Sequence, residues 1–230
     1  AVNAGKGAGI ATRVLRRGGG TALPGLVAER VHPRLVRDLG RSLGGGRVLI
    51  TGTNGKTTTS RIVAEVLGAA GRPFIHNREG SNLMRGIAST LLSHAGLAGG
   101  IPGSAAAAGL FETDEATLPP AAEALAPDII AFTTLFRDQL DRYGEVDTVA
   151  RLWRTALERS PRGATLVLNA DDPSVAEMAV GWDGPVHWFG LDDPAFATGR
   201  GGAFDARWCG CGGDYLYQRR SLPHRGPAGF

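Results

Sequence analysis

The stretch Thr51-Gly52-Thr53-Asn54-Gly55-Lys56-Thr57-Thr58-Thr59 carries the densest chemistry in this sequence. Two glycines let the main chain turn tightly and aim several N–H groups at one anion, and a helix starting there adds its positive dipole end. Lys56 has the reach for the β- and γ-phosphates of a nucleotide, and the Thr57 hydroxyl is a Mg²⁺ ligand of the kind such loops use. The strict pattern G-x-x-x-x-G-K-[ST] is not met, because Ile50 occupies its first glycine position. An ordinary glycine turn before a helix is the bland alternative. Against it stands a scarcity: Lys6 and Lys56 are the only lysines, the other basic residues being arginines. One of the two falls on the phosphate-binding position.

Other residues invite weaker readings. Glu112 follows the apolar pair Leu110-Phe111, and a carboxylate at the C-terminal end of a parallel strand sits where α/β folds bind ligands. Its neighbours Asp114 and Glu115 suit a helix cap equally well. Asp138, Asp141 and Arg137 fit a solvated turn as well as a substrate contact. Cys209 and Cys211 stand one residue apart, too close to staple a fold. A structural zinc site takes four ligands, so this C-x-C is either half of one or a pair of unliganded thiols. His187 and His224 are spare candidates for the other half, though lone histidines are more often plain surface or core residues. The four tryptophans read as packing.

The elements that must carry these residues alternate. Arg47 to Thr51 is a short apolar strand entering the glycine turn, and Ile62, Val63, Val66 and Leu67 fall at helical spacing after it. Strands are then expected at 73–76, ending at 110–111, at 128–133, 164–168 and 186–189. Helices are expected at 82–92, about 120–125, about 146–159 and from Pro173 to Val180, with Pro173 suited to a first turn. Residues 96–109 read as an Ala/Gly-rich loop. Strands alternating with helices imply an α/β fold with a mostly parallel sheet covered on both faces. Residues 1–46 read as a helical lead-in and turn, 47–190 as the main domain, and 191–230 as a loop or small appended module.

Composition excludes several classes. The 230 residues carry a net charge of +3, and their scattered arginines lack the aromatic interleaving of a nucleic-acid reader. The 35 glycines follow no repeat, which excludes collagen. No apolar run approaches the roughly 20 residues of a membrane helix. No charged-then-apolar leader is present, although the sequence begins at Ala1 without a methionine. A reducing, cytoplasmic compartment is the default expectation.

The variant loop T-G-T-N-G-K-T resembles the ATP-binding loop of the Mur ligase family, which includes folylpolyglutamate synthase. Gly80-Ser81-Asn82 is similar to the family's glycine–asparagine segment near the nucleotide. Glu112 matches its Mg²⁺-associated glutamate, and Asn169-Ala170-Asp171-Asp172-Pro173 matches its N-x-D-D stretch, whose asparagine lies near the adenine. The segments His76 to Asn82, Glu112-Thr113-Asp114-Glu115 and Phe136 to Glu145 look like the MurT-type branch, the synthetase half of a glutamine-hydrolysing lipid II isoglutaminyl synthase. The resemblance runs from about Leu23 to Tyr217. It departs in three places, one of them at the cysteines, where a single C-x-C stands and these 230 residues hold no second pair. Thr134 stands where an asparagine is expected after Thr133. Gln139 replaces the histidine of the D-H-L-D segment, and no lysine follows Lys56. The carbamylated lysine of the amino-acid-adding Mur ligases therefore has no counterpart here, which fits the MurT type.

The resemblance implies a central ATP-binding domain at 47–190. ATP and Mg²⁺ would be held by Gly52, Thr53, Asn54, Gly55, Lys56, Thr57, Thr58, Asn82, Asn169 and Asp172, with Lys56 and Glu112 catalytic and Thr57 and Glu112 on the metal. It implies a zinc-ribbon-like insertion beginning at 191–230, with Cys209 and Cys211 as Zn²⁺ ligands. It implies activation of the D-Glu α-carboxylate of lipid II, at the membrane surface, as an acyl phosphate. Ammonia would come from a class I glutamine amidotransferase-like glutaminase in a heterodimer, with no nucleic-acid partner. A further C-terminal domain is also implied, so the 230-residue chain by itself is expected to bind MgATP weakly and to amidate little. Three rivals stay open: an amide ligase using an amino acid, a P-loop kinase or GTPase, and a scaffold that binds nucleotide without turnover.

Overall fold

The computed structural model describes residues 23–77, 82–135 and 145–191. Several sequence expectations lie outside those residues: the first part of the lead-in, the Gly80-Ser81 pair, most of the Phe136–Glu145 segment, and the 192–230 stretch with Cys209, Cys211 and His224.

Two helices, α1 (Leu23–Val31) and α2 (Leu35–Gly40), lead into strand β1 (Arg47–Thr51). Then come α3 (Lys56–Ala69), β2 (Phe74–His76), α4 (Met84–His94), β3 (Ala108–Glu112) and α5 (Leu118–Leu125). The chain continues through β4 (Ile129–Phe132), α6 (Glu145–Glu158), β5 (Thr165–Asn169), the short α7 (Pro173–Ala176), a 3₁₀ turn at Glu177–Ala179, and β6 (Val186–Phe189). The expected alternation is present, with boundaries moved by a few residues. The helix expected from Pro173 to Val180 is split into one α turn and one 3₁₀ turn.

All strands pair in parallel in the order β2-β3-β1-β4-β5-β6. Within that order, residues along each strand alternate between the two faces of the sheet. Leu49, Phe111, Ile130, Phe132, Leu166 and Leu168 alternate onto one face and join Ala28, Leu35, Val36, Leu39, Ile87, Leu91, Ala122 and Leu125 in one core. The lead-in helices are thus packed into the same core as the sheet. Each large apolar side chain buried there contributes roughly 1.5–3 kcal/mol of transfer free energy. Trp153 of α6 anchors that face, its ring centroid 4.9 Å from that of Phe132. The opposite face has a smaller cluster, Ile50, Ala64, Leu110 and Ala131, capped by α3.

The topology defines one special place. The chain leaves β1 through α3 toward β2 on one side, whereas it leaves β3 through α5 toward β4 on the other. With right-handed crossovers these connections lie on opposite faces. Their loops diverge between the C-terminal ends of β1 and β3, the crevice where open α/β sheets bind ligands. Both Lys56 and Glu112 stand at that crevice.

Candidate functional site

The loop after β1 owes its shape to glycine. Gly52 has φ 140° and Gly55 φ 84°, conformations that side chains disfavour. A Cβ on Gly52 would also run into the Thr133 hydroxyl and come within 2.9 Å of the Thr134 nitrogen. This close approach holds the loop. The Thr53 amide donates to the Thr134 carbonyl at 2.8 Å, and the Asn54 amide donates to Thr134 Oγ1 at 3.2 Å. Thr133 Oγ1 donates to the carbonyls of Asn54 at 2.5 Å and Thr51 at 3.1 Å. Thr134, the departure from the expected asparagine, thus braces the loop through both its hydroxyl and its main chain.

Gly55 is the N-cap of α3 and Thr59 donates the first bond back, to the Gly55 carbonyl at 2.9 Å. The amides of residues 56–58 belong to the first helical turn and point out of its N-terminus. Lys56 folds back over the loop: its ammonium donates to the Gly52 carbonyl and to the Thr53 carbonyl at 3.3 Å. Glu115 lies 3.5 Å away, and both side chains are mostly shielded, 14% and 24% exposed. Asp114 serves the following turn instead, its Oδ1 accepting from the Thr117 amide at 2.7 Å.

Glu112 ends β3 with its carboxylate turned to α3. Thr57 Oγ1 donates to Glu112 Oε1 at 2.9 Å, and Ser60 Oγ to Oε2 at 3.4 Å. A hydroxyl and a carboxylate converging beside a helix N-terminus form a hard oxygen donor set that fits Mg²⁺. Ser60 was not foreseen from sequence. Its only signal is position, one helical turn after Thr57 and on the same face.

The Asn169–Asp172 stretch sits on the far side of the loop. Asn169 Nδ2 donates to the Thr133 carbonyl at 2.8 Å, and its Oδ1 accepts from the Asp171 amide at 2.9 Å. Asp172 is buried. Its Oδ2 accepts from the Leu135 amide at 2.6 Å, while Oδ1 caps α7 by accepting from Ser174 at 3.0 Å and Val175 at 3.3 Å. Asn82 enters through its main chain, its carbonyl accepting from the Asp114 amide at 3.2 Å. Gly52 to Thr58, Glu112 and Asn169 therefore share the C-terminal edge of the sheet, and Asp172 supports that edge from beneath. Among the described residues no group of three or more His, Cys, Asp or Glu could hold a metal, and no helix is long and apolar enough to cross a membrane.

A parallel sheet whose first strand feeds a braced glycine turn, with a lysine and a threonine opening the next helix, defines an α/β domain of the phosphate-loop class. Sequence comparison narrows the class, since the model of the Mur ligase middle domain matches residues 50–205. The chain belongs to the Mur ligase family. It is 33% identical over 216 residues to the lipid II isoglutaminyl synthase (glutamine-hydrolyzing) subunit MurT of Staphylococcus aureus strain COL, covering 92% of this chain and 47% of that protein. To the subunit of the same name from Streptococcus pneumoniae it is 32% identical, covering 77% of this chain and 37% of the relative. The chain thus spans about half the length, or less, of these relatives. Among solved structures, MurF ligase of Thermotoga maritima in complex with ADP superposes with a TM-score of 0.54 at 21% identity, covering 69% of this chain and 36% of that one. That likeness speaks for the fold.

Proposed function

We propose that this chain is the ATP-binding part of a carbon–nitrogen ligase that activates a carboxylate for amidation in peptidoglycan synthesis. The observation that carries the reading is the convergence of Lys56, Thr57 and Glu112 at the crevice between β1 and β3. Lys56 would exchange its main-chain carbonyls for the β- and γ-phosphates, a gain because those oxygens are charged. The first-turn amides of α3 would hold the phosphate chain. Thr57 and Glu112 would hold Mg²⁺, which withdraws charge from the transferred phosphoryl group. Asn169, fixed beside the loop, is the residue assigned to the adenine side, and Asn82 lies at the turn beside Glu112.

Within the family, the sequence favours the MurT-type reaction, because no lysine follows Lys56 to be carbamylated. In that reaction an oxygen of the D-Glu α-carboxylate of lipid II attacks the γ-phosphorus, ADP leaves, and an acyl phosphate forms. Ammonia then forms the new C–N bond, loses a proton, and expels phosphate. Ammonia must arrive unprotonated, which argues for a glutaminase partner delivering it directly. The reading keeps 47–190 as the ATP-binding unit and treats 191–230 as the start of a zinc-ribbon-like insertion. Zinc at Cys209 and Cys211 needs ligands beyond these two, and metal analysis of the wild type against Cys209→Ser/Cys211→Ser checks it.

The reaction is tested in the protein that contains this chain, assembled with its glutaminase. With a lipid II analogue, ADP release should depend on ammonia or glutamine, hydroxylamine should trap a hydroxamate, and Lys56→Ala should abolish both. Release driven by an amino acid but not by ammonia would move the protein to another branch of the family. Release with no trapped hydroxamate would remove the acyl phosphate.

A further inference from the structure

Strand β2 stops at His76, which pairs with Leu110, so it ends two residues short of Glu112. On its other side Glu112 is the register partner of Ile50 in β1. In a parallel ladder the peptide groups of a residue such as Glu112 then face the strand that has stopped, and a buried peptide left unpaired costs about 1–3 kcal/mol per group. One side chain closes the gap. Asn77, 1% exposed, donates from Nδ2 to the Glu112 carbonyl at 2.7 Å and accepts from the Glu112 amide at Oδ1 at 2.8 Å. Its carboxamide reproduces the donor–acceptor pair of a peptide and extends the ladder by one rung after the main chain of β2 has ended.

We propose that Asn77 is the positioning residue for the Glu112 carboxylate. The inference rests on the reading of Glu112 as the metal-side carboxylate given above. Glu112 is the last residue of β3, and beyond it the chain turns toward Asp114 and α5. Thr57 and Ser60 hold the carboxylate from one side only. The rigid two-point grip of Asn77 on the peptide fixes where the side chain starts, so the oxygens stay aimed at Thr57. The phosphate loop is braced independently, by Thr133 and Thr134 on the opposite flank. Removing Asn77 should therefore damage metal use and spare the loop.

The test is nucleotide binding by the protein that contains this chain, read with a fluorescent ATP analogue with and without Mg²⁺, together with thermal unfolding. Asn77→Ala should raise the Mg²⁺ concentration needed for half-maximal enhancement of binding about tenfold. Metal-free affinity should stay within about twofold of wild type. Asn77→Asp keeps the acceptor for the Glu112 amide but sets a carboxylate oxygen against its carbonyl, so it should raise the Mg²⁺ requirement at least as far as alanine does, and it serves if the alanine variant does not fold. A lowered melting temperature with an unchanged Mg²⁺ requirement would show a merely structural role and overturn the proposal. Equal loss of metal-free and metal-dependent affinity would overturn it too. A wild-type protein that binds the analogue with no response to Mg²⁺ would instead refute the metal-side reading of Glu112, and the inference with it.

Discussion

Asp172→Ala separates support from ligation. The N-x-D-D resemblance makes this residue a candidate nucleotide contact, yet its oxygens already serve three backbone amides, those of Leu135, Ser174 and Val175. Losing the α7 cap costs about 1 kcal/mol. Leaving the buried Leu135 amide without an acceptor costs about 1–3 kcal/mol more. The sum, about 2–4 kcal/mol, corresponds to a fall in melting temperature of roughly 5–15 °C in a chain of this size. Asp172→Asn keeps one carbonyl oxygen, which can serve the cap or Leu135 but not both, and should lose roughly half as much. Leu135 directly follows the two threonines that brace the phosphate loop, so nucleotide affinity should weaken by less than tenfold. Differential scanning fluorimetry and a titration with fluorescent ATP measure both quantities. An unchanged melting temperature with affinity abolished would refute this reasoning and make Asp172 a direct ligand.

Lys56→Ala should reverse that pattern. Charge-assisted bonds to phosphate are worth about 1.5–3 kcal/mol, so affinity should drop about 10–100-fold with little change in melting temperature, as calorimetric titration would show. Gly52→Ala combines a disfavoured backbone conformation, about 1–2 kcal/mol, with a Cβ pressed on Thr133 and Thr134. It should destabilise the chain by about 2–4 kcal/mol in urea and abolish nucleotide binding. Glu29 on α1 gives a pH-dependent case, since burial pushes its carboxyl above the usual range. Its penalty is present when both folded and unfolded states are ionised and vanishes below the unfolded pKa. Glu29→Gln should therefore stabilise the chain at pH 7, with a gain that disappears as the pH falls through the carboxylate range; an equal gain at all pH values would point to packing.

Much of the fold was legible because its signals are local. The period-3.6 spacing of Ile62, Val63, Val66 and Leu67, the short apolar runs, and Pro173 at a helix start each depend on a few neighbouring residues. The acidic neighbours of Glu112 show where such reading stops. Asp114 and Glu115 look alike as a helix cap, but one caps Thr117 while the other faces a lysine 59 positions earlier in the chain.

By itself the sequence determined the phosphate loop, the alternation that makes an α/β domain, the family, and the lack of any lysine after Lys56. These rest on short motifs and composition, which survive without knowledge of what lies across the sheet. Tertiary structure alone decided the strand order and everything that crosses it. Thr133 and Thr134 reach the loop from about 80 residues away, Thr57 meets Glu112 across 55, and Asn77 completes the ladder beside Glu112 across 35. A parallel sheet joins segments whose separation is set by crossover helices, so no local pattern records which strand ends become neighbours. The loop could be read in nine residues; the carboxylate, its grip and its brace had to be brought to it by the fold.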